Sequence, residues 1–294
     1  AAVVGVGQSM YQIEHYVDVN TRGTATLLDL IVNRPNKLKK LIVAASMSSY
    51  GEGAYSCGKC GDITAQLRSE QQLKSKQFEM ICPHCGAIAK PKPTAETKSR
   101  DCTSIYAITK KDQEEMCLNI GWAYKIPTVA LRYFNVYGPR QSVSNPYTGV
   151  CAIFAARLLN NNKPIIYEDG LQTRDFINVL DIARANILAM ENPAADYQSF
   201  NVGSGRAITV KYIAEQLAKT LGKSIEPELV NKYRIGDIRH CYADISKIKK
   251  MLGFEPQVSF EQGMQKLCDW LKKQNAIDSV EKAQEELKNK GLIV

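Results

Sequence analysis

The sequence lacks the long apolar segment that a membrane span requires, because no run reaches roughly eighteen residues. Its N-terminus has neither the basic region nor the cleavage pattern of a signal peptide. Histidine is scarce, with three residues in 294, and neither His15 nor His240 has a metal partner nearby in the sequence. These absences argue against a membrane protein, and we expect a cytoplasmic enzyme.

A concentration of basic charge is also missing. The chain has 38 Lys and Arg against 30 Asp and Glu, a net charge of +8, but the cations are scattered in short groups with acids between them. No basic stripe carries the aromatic residues that nucleic-acid-binding surfaces often include. The distribution favours an ordinary solvated surface over nucleic-acid binding, and it is compatible with small anionic substrates.

The chain does not open on methionine. It begins at Ala1, and its first residues, Ala-Ala-Val-Val-Gly-Val-Gly, resemble the middle of a secondary-structure element. We therefore expect the sequence to be a fragment of a longer protein.

Alternating strand and helix patterns indicate the fold class. Apolar, β-branched runs at 41–45 and 128–133 predict buried parallel strands. Each run follows a segment with helical periodicity, at 9–32 and at 104–123. This alternation predicts an α/β protein with a doubly wound parallel sheet of the Rossmann-like type, truncated at its N-terminus.

The regular pattern breaks twice along the chain. From 52 to 93, glycines, prolines and two cysteine pairs replace the periodicity, which indicates an insertion. After Pro139 the elements become short and mixed. We therefore predict a larger sheet domain at 1–140 that contains the insertion, a smaller substrate lobe at 141–277 that returns one or two strands to the sheet, and a C-terminal surface helix at 278–294.

A tyrosine and a lysine share one face of the second predicted helix. In Tyr106-Ala-Ile-Thr-Lys110 the two side chains are four residues apart, so they project within one turn. A nearby cation favours the phenolate and would lower the pKa of Tyr106 toward a range in which it can act as a base. The spacing alone is weak evidence, since a second match occurs at Tyr55 and Lys59, where no helix is expected.

Polar residues at the ends of the predicted strands accompany this pair. Ser46 follows the first strand at its carboxyl end, where open α/β sheets bind ligands, although a simple polar turn would explain it equally well. Asn135 lies in the segment that closes the next strand. Arg174 and Arg239 supply guanidinium groups suited to bidentate binding of a pyrophosphate.

Seven short motifs follow one another along the chain. They are Asn20-Thr-Arg-Gly-Thr24, Ser46-x3-Tyr50-Gly51, Tyr106-x3-Lys110, Leu131-Arg-Tyr-Phe-Asn135, Arg174-Asp175, Asn201-Val-Gly203 and Leu252-Gly-Phe-Glu-Pro256. In this order they resemble the extended short-chain dehydrogenase/reductases, in particular the nucleotide-sugar epimerases and dehydratases of the UDP-glucose 4-epimerase type. The insertion and the segment Ser144 to Gly149 resemble dTDP-L-rhamnose 4-epimerases.

The resemblance implies roles for individual residues. It makes Tyr106 the catalytic acid and base, with Lys110 on the nicotinamide ribose of NAD and Ser46 at the reacting hydroxyl. The implied cofactor-binding residues are Ala2, Asn20, Ser46, Tyr106, Lys110, Tyr133 and Asn135. The implied substrate-binding residues are Asn135, Arg174 and Arg239, the two arginines holding the diphosphate.

The family mechanism, as the resemblance implies it, needs tightly held NAD. The tyrosine takes the proton of the sugar 4-hydroxyl, the C4 hydride passes to NAD, and it returns to the other face of the 4-keto sugar. We expect an NAD-dependent nucleotide-sugar 4-epimerase that acts on dTDP-L-rhamnose or a UDP-hexose, with 1–140 as part of its NAD-binding domain. The resemblance also implies a homodimer through the helices at 9–32 and 104–123.

One part of the family pattern is missing. The family begins with a strand, a glycine-rich turn and a helix N-terminus that bind the pyrophosphate of NAD, and Gly5-Val-Gly7 is too short to supply them. By motif order, Ala1 and Ala2 match the end of the fourth family strand, so we expect about the first quarter of the enzyme to be absent. A non-catalytic remnant or interaction module therefore remains an alternative.

A 4,6-dehydratase or a ketosugar reductase on the same fold is a further alternative. Family dehydratases carry Asp-Glu after the serine to remove water across C5 and C6. This chain has Met47-Ser48 there, which cannot supply that acid and base. The pair favours an epimerase.

Four of the nine cysteines form two C-x2-C knuckles, each followed by glycine. Cys57, Cys60, Cys82 and Cys85 have the spacing of a zinc ribbon, in which four thiolates hold a structural ion and leave no position for substrate. Redox dithiols and unliganded cysteines are the alternatives. Because the insertion falls between the catalytic serine and tyrosine, we expect it near the substrate mouth.

Overall fold

The structure, a computed structural model, describes residues 2–142, 147, 149–234, 236–274, 278 and 280–293. In chain order its helices are α1 (Val6–Ser9), α2 (Ile13–Tyr16), α3 (Gly23–Asn33), α4 (Glu70–Lys74), α5 (Ile105–Ala123), α6 (Val150–Leu159), α7 (Val179–Glu191), α8 (Val210–Leu221), α9 (Ser246–Leu252), α10 (Phe260–Leu271) and α11 (Val280–Asn289). Its strands are β1 (Leu41–Ser46), β2 (Ala54–Cys57), β3 (Gly61–Ile63), β4 (Lys90–Lys92), β5 (Thr128–Tyr133), β6 (Asn135–Tyr137), β7 (Ile165–Ile166), β8 (Thr173–Asn178), β9 (Gln198–Val202), β10 (Ala207–Thr209), β11 (Glu228–Leu229) and β12 (His240–Cys241).

Three parallel strands form the central sheet in the order β1-β5-β9. On one face, Leu28 of α3 and Cys117 of α5 pack against Val43 and Ala130. On the other face, α7 and α9 cover the outward side chains of β5 and β9. Burial on both faces explains why these strands are continuous apolar runs in the sequence. The predicted α/β fold with a Rossmann-like parallel sheet is confirmed.

The two long helices differ in how well the sequence predicted them. The helix predicted at 104–123 is α5, and the Ser104 hydroxyl oxygen caps it by accepting from the N–H of Ala107 at 3.1 Å. The helix predicted at 9–32 is continuous from Ile13 to Asn33, beginning four residues later than predicted, and α2 and α3 are joined in it by a π-helical segment (Val17–Arg22) that the sequence did not predict. Single π-helical turns are rare and frequently occur at functional sites.

A second, smaller group of strands surrounds β8, which pairs with β6, β10 and β12. Helices α6, α8 and α10 close its apolar core, to which Phe154, Leu217 and Leu267 contribute. Strand β9 comes late in the chain yet lies in the central sheet. Among the described helices, none combines the length and apolarity needed to cross a bilayer.

The insertion, residues 52–93, forms a small unit that we call the cysteine module. Its central strand β2 pairs antiparallel with β3 and with β4, and Tyr55 and Met80 belong to its own apolar core. The chance tyrosine–lysine match of the sequence lies here, on a strand rather than a helix. At the entry to the module Gly51 has φ +66°, and a Cβ there would lie 2.2 Å from the carbonyl oxygen of Asp101. Glycine therefore lets the chain leave and return at one point.

Candidate active site

Ser46 ends β1 beside Tyr133, its partner in the register of β5. The Ser46 hydroxyl oxygen accepts hydrogen bonds from the backbone N–H of Ser48 at 3.2 Å and from its hydroxyl at 2.8 Å. The Ser46 hydroxyl also lies close enough to the phenol of Tyr106 to influence its pKa. Ser48, Ser46 and the predicted catalytic tyrosine therefore bring three hydroxyls to one place.

Tyr106 lies in the first turn of α5 and is half-buried. Burial raises the pKa of its phenol, and the nearby Ser46 hydroxyl opposes that rise. The prediction that Lys110 lowers the pKa of Tyr106 below its ordinary value is wrong for this structure. The ring of Tyr16 packs edge-on against Tyr106 at 6.4 Å between centroids and adds to the low-dielectric surroundings.

Lys110 is buried one turn further along α5. Its Nζ donates to Oε1 of Gln113 at 2.7 Å, and burial lowers the pKa of the ammonium to about 8. Gln113 in turn donates to the hydroxyl of Thr24 at 2.7 Å. Since the described partner of Lys110 is a neutral amide, the ammonium is desolvated without a compensating carboxylate. The sequence pattern gave no sign of Gln113.

Asn20 lies in the π-helical segment and is fully buried. Its Nδ2 donates to the Thr109 hydroxyl at 3.0 Å and to the carbonyl of Val3 at 3.1 Å, while Oδ1 accepts from the N–H of Val3 at 3.0 Å. Asn20 thus ties the segment that contains Ala2 to the catalytic helix. Ala2 itself is exposed.

Two residues of the segment after β5 have different surroundings. The hydroxyl of Tyr133 donates to Oδ1 of Asn186 on α7 at 2.8 Å, so its polar end is engaged within the protein. Asn135 borders a cavity, and its buried Oδ1 has no hydrogen-bond partner among the described residues. A buried amide oxygen without a partner costs free energy unless a ligand completes it.

The cavity has a volume of about 280 Å³, and residues of α1, α6, β7 and α11 contribute to its lining. Its described lining includes Thr103, three residues before Tyr106, but not Ser46, Tyr106 or Lys110. The predicted surface helix α11 buries one face, and Leu287 lines this cavity.

Two arginines border the cavity. Arg174 was predicted from the sequence, and its guanidinium donates to the carbonyl oxygens of Ile238 and Arg239 at 2.7 and 2.9 Å. Arg234 was missed, and it lies with its guanidinium carbon 4.2 Å from the centre of the Tyr167 ring. Its position two residues before Gly236-Asp237 was the signal that could have identified it.

Arg239 does not have the predicted role in this structure. Its side chain is fully buried and donates to the carboxylates of Glu79, Glu168 and Asp169. Three acidic partners compensate the charge, so the guanidinium is not free to bind a substrate diphosphate. The sequence could not distinguish a buried arginine from one that faces a ligand.

The four cysteines of the two knuckles come together. Their sulfur atoms all lie within 4.8 Å of one another, and the pair Cys57 and Cys85 is 3.5 Å apart, too far for a disulfide bond. Gly61 and Gly86 both have φ +74°. This left-handed backbone explains the glycine at the same offset after each knuckle.

The residues fit one end of NAD. A buried, desolvated ammonium on Lys110 matches the hydroxyls of a nicotinamide ribose, and the phenol of Tyr106 lies one helical turn away. In the part of the chain that the structure describes, no strand runs through a glycine-rich turn directly into a helix. The pyrophosphate end of NAD therefore has no counterpart among these residues.

Residues 86–267 match the family model described as GDP-mannose 4,6 dehydratase. The chain belongs to this family of enzymes that act on nucleotide-linked sugars. A relative, the dTDP-L-rhamnose 4-epimerase of Burkholderia thailandensis, is 35% identical over 92% of this chain and 73% of its own length. The UDP-glucuronate 4-epimerase of Thermodesulfobacterium geofontis is 30% identical over 92% of this chain and 71% of its own.

Solved structures of epimerases share the fold. The UDP-glucose 4-epimerase of Thermotoga maritima with UDP-glucose has a TM-score of 0.75 at 30% identity, over 93% of this chain and 75% of that one. The UDP-glucuronic acid 4-epimerase of Bacillus cereus, in complex with UDP-glucuronic acid and NAD, has a TM-score of 0.70 at 28% identity, over 92% and 73%. These relatives are 4-epimerases, which are isomerases, and the predicted enzyme class is confirmed.

The low pKa of Lys110 gives a test of its burial. Below pH 8 the folded and unfolded chains both carry the proton, whereas between pH 8 and 10.5 the unfolded chain holds it more tightly. The free energy of unfolding from this group therefore rises across that window. Lys110→Met should raise the free energy of unfolding at pH 7 by up to about 3 kcal/mol and remove the rise, as urea titrations from pH 7 to 10 would measure.

Lys111→Met is the matched control, since the neighbouring lysine is only half-buried. An equal gain in stability from Lys111→Met would show that the added apolar surface, and not relief of a desolvated charge, is responsible.

Proposed function

We propose that this chain inverts the configuration at C4 of a nucleotide-linked hexose with the help of NAD. The observation that carries the proposal is the phenol of Tyr106, next to the Ser46 hydroxyl and one helical turn from the desolvated ammonium of Lys110. Relatives at 35% and 30% identity bear the names of 4-epimerases. The unpaired oxygen of Asn135 and the two cavity arginines support a polar, anionic substrate in the cavity.

The protein side chains would handle a proton and hold the sugar. Tyr106 takes the proton of the C4 hydroxyl and later returns it, while Ser46 donates to the reacting oxygen. Because burial raises the pKa of the phenol, the base needs a cation beside it, and Lys110 is the buried cation on the same helix face. Bound NAD would supply the acceptor and donor of the C4 hydride, held by Lys110, Asn20 and the segment around Ala2.

The alternative dehydratase chemistry has no acid at the required position. Met47 is buried in an apolar cluster with Tyr50 and Phe134. Ser48 donates to Ser46 and belongs to the hydroxyl chain. Neither residue could protonate a leaving hydroxyl and remove the C5 proton, so a 4-keto sugar would have only hydride return open to it.

The diphosphate of the substrate is assigned to Arg174 and Arg234, in place of Arg239. Both border the cavity, and both lie next to backbone carbonyls or an aromatic ring that fix them. The sugar is proposed to be dTDP-L-rhamnose or a UDP-hexose. The relative at 35% identity supports dTDP-L-rhamnose as the first to test; of the similar segment 144–149, only Tyr147 and Gly149 lie within the described residues.

A homodimer is proposed through α3 and α5. Leu27 and Leu30 of α3, and Ile108 and Trp122 of α5, are exposed apolar side chains, and Trp122 is 76% exposed. Large apolar side chains on neighbouring helices favour a protein partner over solvent.

A structural zinc ion is proposed for the four cysteines. A tetrahedral zinc with bonds of about 2.3 Å would hold the sulfur atoms about 3.8 Å apart, close to the separations in the structure. Four thiolates would complete a tetrahedral zinc and leave no coordination position for substrate.

Tyr106→Phe tests the proposed base. Removing the phenolic oxygen should lower the rate of epimerisation by roughly a thousandfold, while UDP binding stays within about twofold, because binding rests on the arginines. Tyr124→Phe, at the exposed end of the same helix, is the matched control and should turn over normally. A Tyr106→Phe enzyme with the wild-type rate would eliminate Tyr106 as the acid and base.

The reaction itself is tested by product analysis. The protein, supplied with NAD and either dTDP-L-rhamnose or UDP-glucose, should convert one of them to its C4 epimer with no net consumption of NAD, as NMR spectra of the sugar would show. If a 4-keto-6-deoxy sugar accumulated instead, the enzyme would be a dehydratase and the argument from Met47 and Ser48 would be refuted. With neither product, the alternative of a non-catalytic protein would gain support.

Metal content tests the zinc site. Protein purified without chelator should carry about one zinc per chain, and Cys82→Ser should lose the ion and melt at a lower temperature. Cys102→Ser, outside the cluster, is the control and should retain it. Wild-type protein without bound metal would contradict the proposal.

A further inference from the structure

The cysteine module contacts the smaller lobe through charged side chains at residues 237–240, whose backbone carbonyls also bind Arg174. From this geometry we infer that the module is a positioning element for Arg174 and Arg234. Its side chains Glu79 and Arg68 hold the segment 236–240, so that the two arginines face the substrate diphosphate. The inference rests on the proposed function of these arginines and adds positioning residues to it.

Arg239 is the centre of the contact. Its Nε and Nη2 donate to one carboxylate oxygen of Glu79 at 3.0 and 2.5 Å, and Nη1 donates to Glu168 at 2.9 Å and to Asp169 at 2.7 Å. The next residue, His240, places its Nε2 3.0 Å from the other oxygen of Glu79. One carboxylate of the module therefore fixes two consecutive residues of the lobe.

A second ion pair joins the module to the smaller lobe, and here the arginine, Arg68, belongs to the module and the carboxylate belongs to the lobe. Its Nη1 donates to Glu168 at 2.9 Å, and its Nη2 donates to the carbonyl oxygen of Asp237 at 3.0 Å. At the entry to the module, Glu52 accepts from the backbone N–H of Arg239 at 2.7 Å. The module thus holds the segment 236–240 by its backbone as well as by its side chains.

The held backbone orients Arg174. The guanidinium donates to the carbonyl oxygens of Ile238 and Arg239, as described above, and these two bonds restrict its rotation. Because those carbonyls belong to the segment fixed by Glu79 and Arg68, any shift of the segment would move Arg174 in the cavity.

An apolar contact supports Arg234 from the same side. Leu73 and Phe78 of the module form a buried cluster with Tyr233, the residue before Arg234. The module therefore holds both cavity arginines in place. It fixes the carbonyl oxygens that bind Arg174, and it packs against Tyr233, the residue before Arg234.

Two other roles for the charged contact lead to different expectations. If Arg239 bound the diphosphate itself, Glu79 would compete with the ligand, and neutralising Glu79 would strengthen binding. If the contact only stabilised the fold, neutralising Glu79 would lower the melting temperature without changing the affinity of the folded protein. Positioning predicts weaker binding by protein that remains folded.

The experiment measures the affinity of the full chain for UDP and for dTDP by calorimetry, well below the melting temperature. Glu79→Gln keeps the shape and removes the charge, and it should raise Kd roughly tenfold while kcat at saturating substrate changes less than about twofold. Glu79→Asp, which restores the charge, should recover part of the affinity. Asp62→Asn, which breaks an exposed ion pair with Lys92 in the same module, is the matched control and should leave Kd unchanged.

Unchanged or tighter binding by Glu79→Gln would overturn the inference. Should that variant fail to fold, Arg68→Lys, which loses the bond to the Asp237 carbonyl and keeps the charge, gives a second test with the same expected direction. Arg174→Met and Arg234→Met test the proposed diphosphate site independently of the contact made by Glu79. If they lose affinity and Glu79→Gln does not, the inference is wrong and the proposed function stands, whereas unchanged affinity in both would remove the diphosphate from this cavity.

Discussion

The parallel pairing of β1 with β5 is the constraint on which the site depends. Parallel strands end at the same edge of the sheet, so Ser46 lies beside Tyr133 in register, and the chain must cross back over the sheet between them. That crossover includes α5, which packs on β1 and β5 and carries Tyr106. The tyrosine lies near this edge because it belongs to the first turn of α5, which begins where the chain returns to the carboxyl end of β1.

Burying a positively charged side chain costs free energy, and Lys110 and Arg239 are both buried in this structure. Lys110 is buried next to an amide, and its lowered pKa shows that the ammonium is poorly compensated. Arg239 is equally buried, but acidic side chains surround it. Lys110 has no carboxylate partner among the described residues and stays available for a ligand, whereas Arg239 joins the smaller lobe to the cysteine module. Uncompensated buried charge of the first kind is frequent at functional sites.

Much of the fold followed from the sequence because both faces of the sheet are covered. Continuous apolar runs then mark the strands, and β1 and β5 were predicted to within a residue. The π-helical segment in the helix before β1 was not predicted, and Asn20 within it contacts Val3 and Thr109, which are distant in sequence.

Site residues were likewise predictable where a short sequence spacing defines them, and unpredictable where contacts distant in sequence define their role. The knuckles and the Tyr106–Lys110 pair have fixed spacings, so the sequence predicted their members. The role of Arg239 could not be predicted, because its partners Glu79 and Glu168 are 160 and 71 residues away. Gln113 was missed although it lies only three residues from Lys110, because no sequence pattern marked it, and Arg234 was missed although the nearby Gly236-Asp237 was a signal.

The position of the insertion explains how a module can be added within the catalytic crossover. The chain leaves the sheet at Gly51, before the insertion, and comes back to Gly51 at Asp101, after it. Helix α5 therefore begins at the same place whatever the length of the loop. Closing a longer loop costs little additional entropy once its ends are fixed. The entry to the module also contacts the smaller lobe, since the N–H of Gly53 donates to the carbonyl oxygen of His240 at 2.8 Å. The module is therefore attached where it can leave Tyr106 undisturbed and still act on the arginines of the cavity.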